Sequence, residues 1–352
     1  MKKIPALSLF LTFSMSIFAP TESSWAITVQ GVGLPITAPS AVLIDAATQK
    51  VIYAKAPHAR RAPASTTKMM TALVAIDKMR LDDVVQIPSW VMLIEPSKVY
   101  LRPGERYLVR DLLHAALISS ANDAAEVLGV AAAGSRQRFA QWMNEKARRI
   151  GCKNTHFVNA SGLPPGYQYS SAYDLTLIMK EAQKNAFIVN SLGQRYHTIR
   201  SLEGRKIQLR NHNRLLWRSN RSVIGKTGWT RESHHCFVGR IRWKGREVLV
   251  SLLGSHRLWQ DLKILLDFQF GVALYKIYKN RKIWSGAETR VIQEALVSAG
   301  FSPGRVDGRF GPRTVRAIEL FQKKHGLRPD GIFGGRTCRK LVPYGLPKSY
   351  CR

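Results

Sequence analysis

Pro63-Ala64-Ser65-Thr66-Thr67-Lys68-Met69-Met70-Thr71 is the stretch on which the reading of this 352-residue chain turns. A proline, small and hydroxyl residues, and then the apolar-rich run Met69 to Ile76 read as a helix starting at or near Ser65. On such a helix Ser65 and Lys68, three apart, lie side by side on one face. A serine hydroxyl is a weak nucleophile until a neighbour takes its proton. A lysine held close, partly desolvated and near other cations, does this as the neutral amine. The unpaired N–H groups of a helix start, that of Ser65 included, can stabilise an oxyanion. Alone, the pair has a plainer reading as two surface residues of an ordinary helix. Its weight depends on its company.

Two more short motifs follow. Ser120-Ala121-Asn122 ends the helical run Asp111 to Ser119. Its hydroxyl can relay a proton between base and leaving group, and its amide can hold a substrate amide; the plainer reading is a helix cap. Lys226-Thr227-Gly228 follows Val223 and Ile224 and precedes Trp229. It reads as an edge strand whose glycine leaves space for a ligand backbone to lie alongside. The ammonium and hydroxyl would face an anionic group on that ligand. Each motif is common by chance, but the three in this order, roughly fifty and one hundred residues apart, fit one mechanism.

Outside these motifs the chain has the marks of an exported protein. Met1-Lys2-Lys3 is a basic head, Ile4 to Phe18 is an apolar run too short for a comfortable membrane span, and Ser24-Trp25-Ala26 offers the small residues of a cleavage site. A signal peptide over 1–26 is expected, with export to the periplasm or cell wall and no stable transmembrane segment afterwards. The formal net charge is +31. In an exported chain this favours a polyanionic surface polymer or acidic headgroups as neighbour rather than nucleic acid. Export permits disulfides, and Cys338 and Cys351 are the favoured pair, with Cys152 and Cys236 as buried small hydrophobes or partners. No cysteine–histidine spacing is of the zinc kind and His234-His235 lacks a third ligand, so neither metal nor cofactor is expected.

After a mixed α/β region over 27–270, with β-like runs at Ala41 to Asp45 and Val248 to Leu253, residues 271–285 are aromatic and basic and read as a linker or packing arm. From Gly286 the pattern changes to short helices and glycine turns. Asp307-Gly308-Arg309-Phe310-Gly311-Pro312-Arg313-Thr314 recurs as Asp330-Gly331-Ile332-Phe333-Gly334-Gly335-Arg336-Thr337. Each copy is a turn that delivers a phenylalanine inward and opens a helix, with Pro312 suited to the first helical position and Gly326 to a left-handed cap. A module of about three helices over 286–345 is expected. From Gly271 onward seventeen Lys or Arg stand against five Asp or Glu, which suits an acidic sugar-peptide wall.

With these residues in view, the chain resembles the low-molecular-weight D-alanyl-D-alanine carboxypeptidases, the serine penicillin-binding proteins, from about Ala41 to Phe270. Besides the three motifs, Asn154-Thr155-His156-Phe157, Gly162-Leu163, Ala172-Tyr173-Asp174-Leu175 and Asn211-His212-Asn213-Arg214-Leu215-Leu216 look like that family's landmarks. The resemblance implies an α/β penicillin-binding-protein/β-lactamase-like transpeptidase fold, with the site between the edge of a five-stranded sheet and a helical lobe. It implies removal of the terminal D-alanine from peptidoglycan stem peptides through a Ser65 acyl-enzyme, with β-lactams as inhibitors at the same serine. Lys68 would be general base and Ser120 would pass the proton to the leaving D-alanine. Asn122 would bind the peptide amide, Lys226 would supply positive potential and Thr227 would bind the terminal carboxylate. Gly228 would give the ligand room, and the backbone N–H of Trp229 would be the second oxyanion donor. Arg257 is the nearest basic residue to assist the carboxylate. The tail resembles peptidoglycan-binding modules through Asp307-Gly308, Phe310-Gly311, Phe321-Gln322, His325-Gly326-Leu327 and Asp330-Gly331.

This chain departs from the pattern after Thr230, where Ser233-His234-His235 replace an alanine-glycine pair and bulkier side chains border the site. The histidines read as a hydrogen-bonded turn rather than as catalytic groups. A β-lactamase would need a glutamate-bearing E-x-x-L-N loop, and none is found. A D,D-endopeptidase cutting cross-links and a non-catalytic wall-binding protein are the alternatives left open, as is the oligomeric state.

Overall fold

The computed structural model describes residues 34–164, 167–218, 222–243, 245–270 and 286–351. The expected signal segment and the arm over 271–285 lie outside them. In chain order the strands are β1 (Ser40–Asp45), β2 (Val51–Lys55), β3 (Val84–Gln86), β4 (Arg106–Leu108), β5 (Tyr196–Arg200), β6 (Lys206–Arg210), β7 (Ser222–Thr230), β8 (His234–Trp243) and β9 (Arg246–Ser255). Five of them form one antiparallel sheet in the order β2-β1-β9-β8-β7, and β3-β4 and β5-β6 are separate two-stranded ladders. The expected five-stranded sheet is present, with β7 at its edge.

Strand β9 shows why the sheet is covered on both faces. Leu249 and Leu253 pack into the cluster shared with the helical lobe, whereas Val248, Val250 and Leu252 pack into the cluster that holds Leu262 and Leu265. This is the period-2 alternation of a strand, and each such fully buried aliphatic side chain contributes ~1.5–3 kcal/mol. Leu262 and Leu265 belong to α8 (Leu258–Phe270), which follows the short α7 (Leu215–Arg218) in helix order.

The lobe on the other face comprises α1 (Lys68–Lys78), α2 (Val109–Ile118), α3 (Asn122–Ala133), α4 (Arg136–Arg149), α5 (Ala172–Ala182) and α6 (Ala186–Gly193). Local chemistry sets several ends. Ser135, Ser171 and Asn185 cap α4, α5 and α6 by accepting from the N–H groups of Arg138, Asp174 and Ile188. Gly134, at φ 79°, closes α3 in the left-handed conformation. The Ser65 segment differs in detail from expectation. Ala64–Thr67 is a 3-10 turn and the α-helix begins at Lys68. Side chains three apart eclipse in a 3-10 turn, so this geometry stacks Lys68 on Ser65 more directly than an α-helix would.

The tail forms α9 (Gly286–Ser298), α10 (Pro312–Lys324) and α11 (Gly335–Leu341) around its own core. Phe310 and Phe333, the repeated phenylalanines, are both buried there, and Gly326 has φ 68°. The repeat extends to its polar bonds. Gln293 Oε1 accepts from Gly308 N–H while its Nε2 bonds Arg309 O and Thr314 Oγ1; Gln322 does the same with Gly331, Ile332 and Thr337. Beyond Gly345, Leu346 is buried and Cys351 bonds Cys338, the favoured pair. Cys152 and Cys236 are free and buried. Among the described residues no helix is long and apolar enough to cross a membrane.

Candidate active site

The structure brings the three motifs together between the lobe and the sheet edge. Ser65, on the 3-10 turn, is partly exposed, while Lys68 behind it is fully buried. Lys68 Nζ lies 2.8 Å from Ser65 Oγ, 2.6 Å from Asn122 Oδ1 and 2.7 Å from Ser161 O. Burial foremost, and then the neighbouring Lys226 ammonium, hold the Lys68 pKa well below the usual lysine range, with Glu126 and Asp123 pulling the other way. The neutral amine has two N–H groups and one lone pair. Asn122 Oδ1 and Ser161 O can only accept, so they take both N–H groups and leave the lone pair for the Ser65 hydroxyl. That is the arrangement a base needs.

Ser120 is the partner of the second buried lysine. It occupies the connection between α2 and α3 at φ 58°, a left-handed conformation that costs a non-glycine residue strain and turns the chain sharply there. Its Oγ accepts from Lys226 Nζ at 2.8 Å, and Lys226 also donates to Thr227 O at 3.0 Å. Burial pushes the Lys226 pKa down to about 7. Asn122 is more committed than its sequence implies. Besides taking Lys68 on its oxygen, it donates through Nδ2 to Glu95 O at 3.0 Å, which leaves one N–H for a ligand. The next residue, Asp123, gathers the N–H groups of Val99 and Leu101 and so ties down the loop beside Asn122.

Gly228 sets the distance between β7 and Ser65. A Cβ there would stand 2.9 Å from Ser65 N and 3.0 Å from Ala64 Cβ, so only glycine lets the strand backbone run this close. Gly162 does the same from the other side, at φ 85°, where a side chain would collide with the Ala64 carbonyl. Thr227 is partly buried on the same strand, and the Trp229 indole is 59% exposed at its rim.

Other residues fall into supporting places. Ser233 closes the β7–β8 turn, its Oγ accepting from Thr230 N–H at 2.9 Å, which accounts for the serine of the Ser233-His234-His235 departure. His234 and His235 are exposed at the start of β8, and the His234 and His256 rings lie 4.3 Å apart, tilted by 49°. Arg257 has its N–H on Thr37 Oγ1 and Ser255 Oγ at the foot of α8, and no contact ties its guanidinium to the motif residues. Sequence reasoning missed Ser161, whose backbone carbonyl holds Lys68, and Glu126, whose carboxylate fixes the Ser161 N–H at 3.0 Å and pairs with Arg136. A backbone acceptor leaves no side-chain signal.

Comparison with known proteins bears on this geometry. A D-alanyl-D-alanine carboxypeptidase family model matches residues 27–256, and a peptidoglycan binding domain model matches residues 285–341. The chain is similar to D-alanyl-D-alanine carboxypeptidase DacF of Bacillus subtilis, 33% identical over 285 residues that span 78% of this chain and 72% of that protein. It is also similar to DacD of Escherichia coli, 36% identical over 209 residues, 55% of this chain and 52% of that one. Among solved structures, a D-alanyl-D-alanine carboxypeptidase from Mycobacterium tuberculosis has 28% identity and a TM-score of 0.64, covering 70% of this chain and 96% of its own. A Streptomyces DD-transpeptidase variant has 30% identity and a TM-score of 0.61, covering 66% and 97%.

Proposed function

Because the chain belongs to the D-alanyl-D-alanine carboxypeptidase family of serine peptidases, we propose that it removes the terminal D-alanine of peptidoglycan stem peptides with Ser65 as nucleophile and Lys68 as base. The observation that carries this is the fully buried Lys68 amine, 2.8 Å from Ser65 Oγ with its other two partners able only to accept.

The steps follow from the contacts. Lys68 Nζ takes the Ser65 proton as Oγ attacks the carbonyl carbon of the penultimate D-alanine. The oxyanion collects the N–H groups of Ser65 and Trp229, which the glycine at 228 lets approach each other. Lys226 and Ser120 hold the end of the substrate that carries the carboxylate, with Thr227 beside them. Ser120 delivers the proton to the departing D-alanine nitrogen, and Lys68 returns to the neutral state by resupplying Ser120 through the site. Water then attacks the ester, losing its proton to Lys68, which passes it to Ser65 Oγ as the ester bond breaks. A β-lactam ring opened by the same serine stops at the ester stage.

The basic tail, with its own core and its repeated glutamine-tied turns, would hold the enzyme on the wall. The leader over 1–26 would carry it out of the cytoplasm to the periplasm or wall. Labelling with a fluorescent penicillin tests the nucleophile. The wild type takes one label per chain and Ser65→Ala takes none; an unlabelled wild type, or a labelled Ser65→Ala, would sink the acyl-enzyme.

A further inference from the structure

Lys68 has two acceptors that can only accept, and one helix anchors both. Asn122 opens α3 and takes Lys68 Nζ at 2.6 Å. Glu126, one turn further along α3, lies on the same face, and its Oε1 accepts the Ser161 N–H at 3.0 Å. The Ser161 carbonyl is the second acceptor, 2.7 Å from Lys68 Nζ. The peptide unit carrying that carbonyl is gripped from its other end, where Gly162 N–H donates to Asn159 Oδ1 at 2.8 Å. Hydrogen bonds on both sides of Ser161 thus set its approach to Lys68, and one of them comes from a buried carboxylate.

A carboxylate taken out of water needs a charged partner as well as an N–H. Glu126 is 4% exposed, and its Oε2 meets Arg136 Nε at 3.2 Å. Arg136, in the first turn of α4, is half-exposed, and its guanidinium lies 4.8 Å from the Trp90 ring centroid. The charged groups that face Lys68 are Lys226 from β7 and Asp123 and Glu126 from α3, and His212, which follows β6, senses the Lys68 charge. After burial and Lys226, Glu126 acts most strongly on the amine, and it favours the ammonium. An amide oxygen at 126 would accept the Ser161 N–H equally well, so that bond alone does not call for a charge. The charge matters because a base whose proton affinity is driven too low no longer takes a proton from a serine hydroxyl.

We infer that Glu126 is a positioning residue for Lys68: clamped by Arg136, it holds the Ser161 carbonyl on the amine and offsets the Lys226 ammonium with a negative charge. This role rests on the acyl-enzyme reading of Ser65 and Lys68 and deepens it by naming what keeps the base usable.

The test is the pH dependence of the second-order acylation rate with labelled penicillin, measured on the full chain for the wild type, Glu126→Gln, Arg136→Gln and Glu126→Ala. Acylation needs the neutral amine, so the rate falls as the pH drops through the Lys68 pKa. Glu126→Gln keeps an acceptor for the Ser161 N–H and removes the charge that favours the ammonium. Its acid limb should move to lower pH by about 0.5–1, with the plateau within about twofold of the wild type. Arg136→Gln leaves the carboxylate uncompensated, so its limb should move to higher pH. Glu126→Ala offers no acceptor, and its plateau should fall about tenfold as the Ser161 loop loosens. A residue that served the fold alone would not send the two glutamine variants in opposite directions. Coincident limbs for the wild type and both glutamine variants, or a wild-type plateau in Glu126→Ala, overturn this role and leave the acyl-enzyme standing. A wild type that takes no label at any pH overturns the acyl-enzyme, and this role with it. The glutamine variants decide the matter even if Glu126→Ala does not fold.

Discussion

Adding one methyl group at Gly228 probes how the sheet edge meets Ser65. The new Cβ would stand 2.9 Å from Ser65 N, 3.0 Å from Ala64 Cβ and 3.1 Å from Pro63 O. Non-bonded carbon contacts relax at ~3.5–4.0 Å, so β7 and the 3-10 turn must part by roughly 0.5–1 Å. Two of the three atoms are backbone and cannot swing aside. Local preference acts in the opposite sense. Gly228 is not in the left-handed region, and alanine in a strand interior is otherwise favoured over glycine by ~0.5–1 kcal/mol. Overpacking costs ~1–3 kcal/mol, which leaves a net loss of up to ~2.5 kcal/mol. At ~2–4 °C per kcal/mol for a domain of this size, the thermal midpoint of Gly228→Ala should fall by up to ~10 °C. The chemistry should suffer more. A displacement of ~1 Å in a reacting constellation costs ~100-fold, so acylation by labelled penicillin should slow by ~10–100-fold. Both are read on one preparation, by the second-order labelling rate and by thermal melting. A variant acylated at the wild-type rate, with a midpoint unchanged or raised, would refute the close approach of strand and nucleophile.

Two further outcomes are expected. An unfolded lysine keeps its proton up to 10.5, whereas folded Lys226 releases it at about 7; between these values the unfolded chain binds more protons, so stability rises with pH. From pH 7 to 9 the wild type should gain ~2 kcal/mol more than Lys226→Met in urea unfolding, and equal slopes would show that burial does not neutralise this lysine. In the tail, Gln322→Leu strips the Gly331 N–H and the Ile332 and Thr337 oxygens of their buried partner, at ~3 kcal/mol or more in a module too small to spare it. Residues 286–351 should become protease-sensitive and sedimentation with purified wall should weaken, while penicillin labelling is unaffected. Intact sedimentation with a cleaved tail would remove the wall-binding role from this module.

Much of the site was legible because its chemistry rests on short contiguous signals. Ser65 and Lys68 are three apart, and any helical turn brings such a pair together; the 3-10 form merely stacks them closer. The glycine in Lys226-Thr227-Gly228 announced a close approach, and the repeated Asp-Gly-x-Phe-Gly turns announced buried phenylalanines, since glycine and turn residues act through local backbone geometry. Arg257 was less legible. A basic residue near the right place in the chain says nothing of where its side chain reaches, and its backbone is instead held by Thr37 and Ser255.

Residue types and their spacing thus determined the pairing of Ser65 with Lys68 and the order of the motifs, because a side chain's neighbours within one turn follow from the chain itself. Tertiary structure decided the rest. The meeting of Lys226 with Ser120 across 106 positions and the Ser161 carbonyl that holds Lys68 Nζ depend on sheet order and on which loops pack together. Those are long-range packing outcomes, and they bring Ser65, first read as one of two side-by-side residues on a helix, under two buried lysines at the edge of β7.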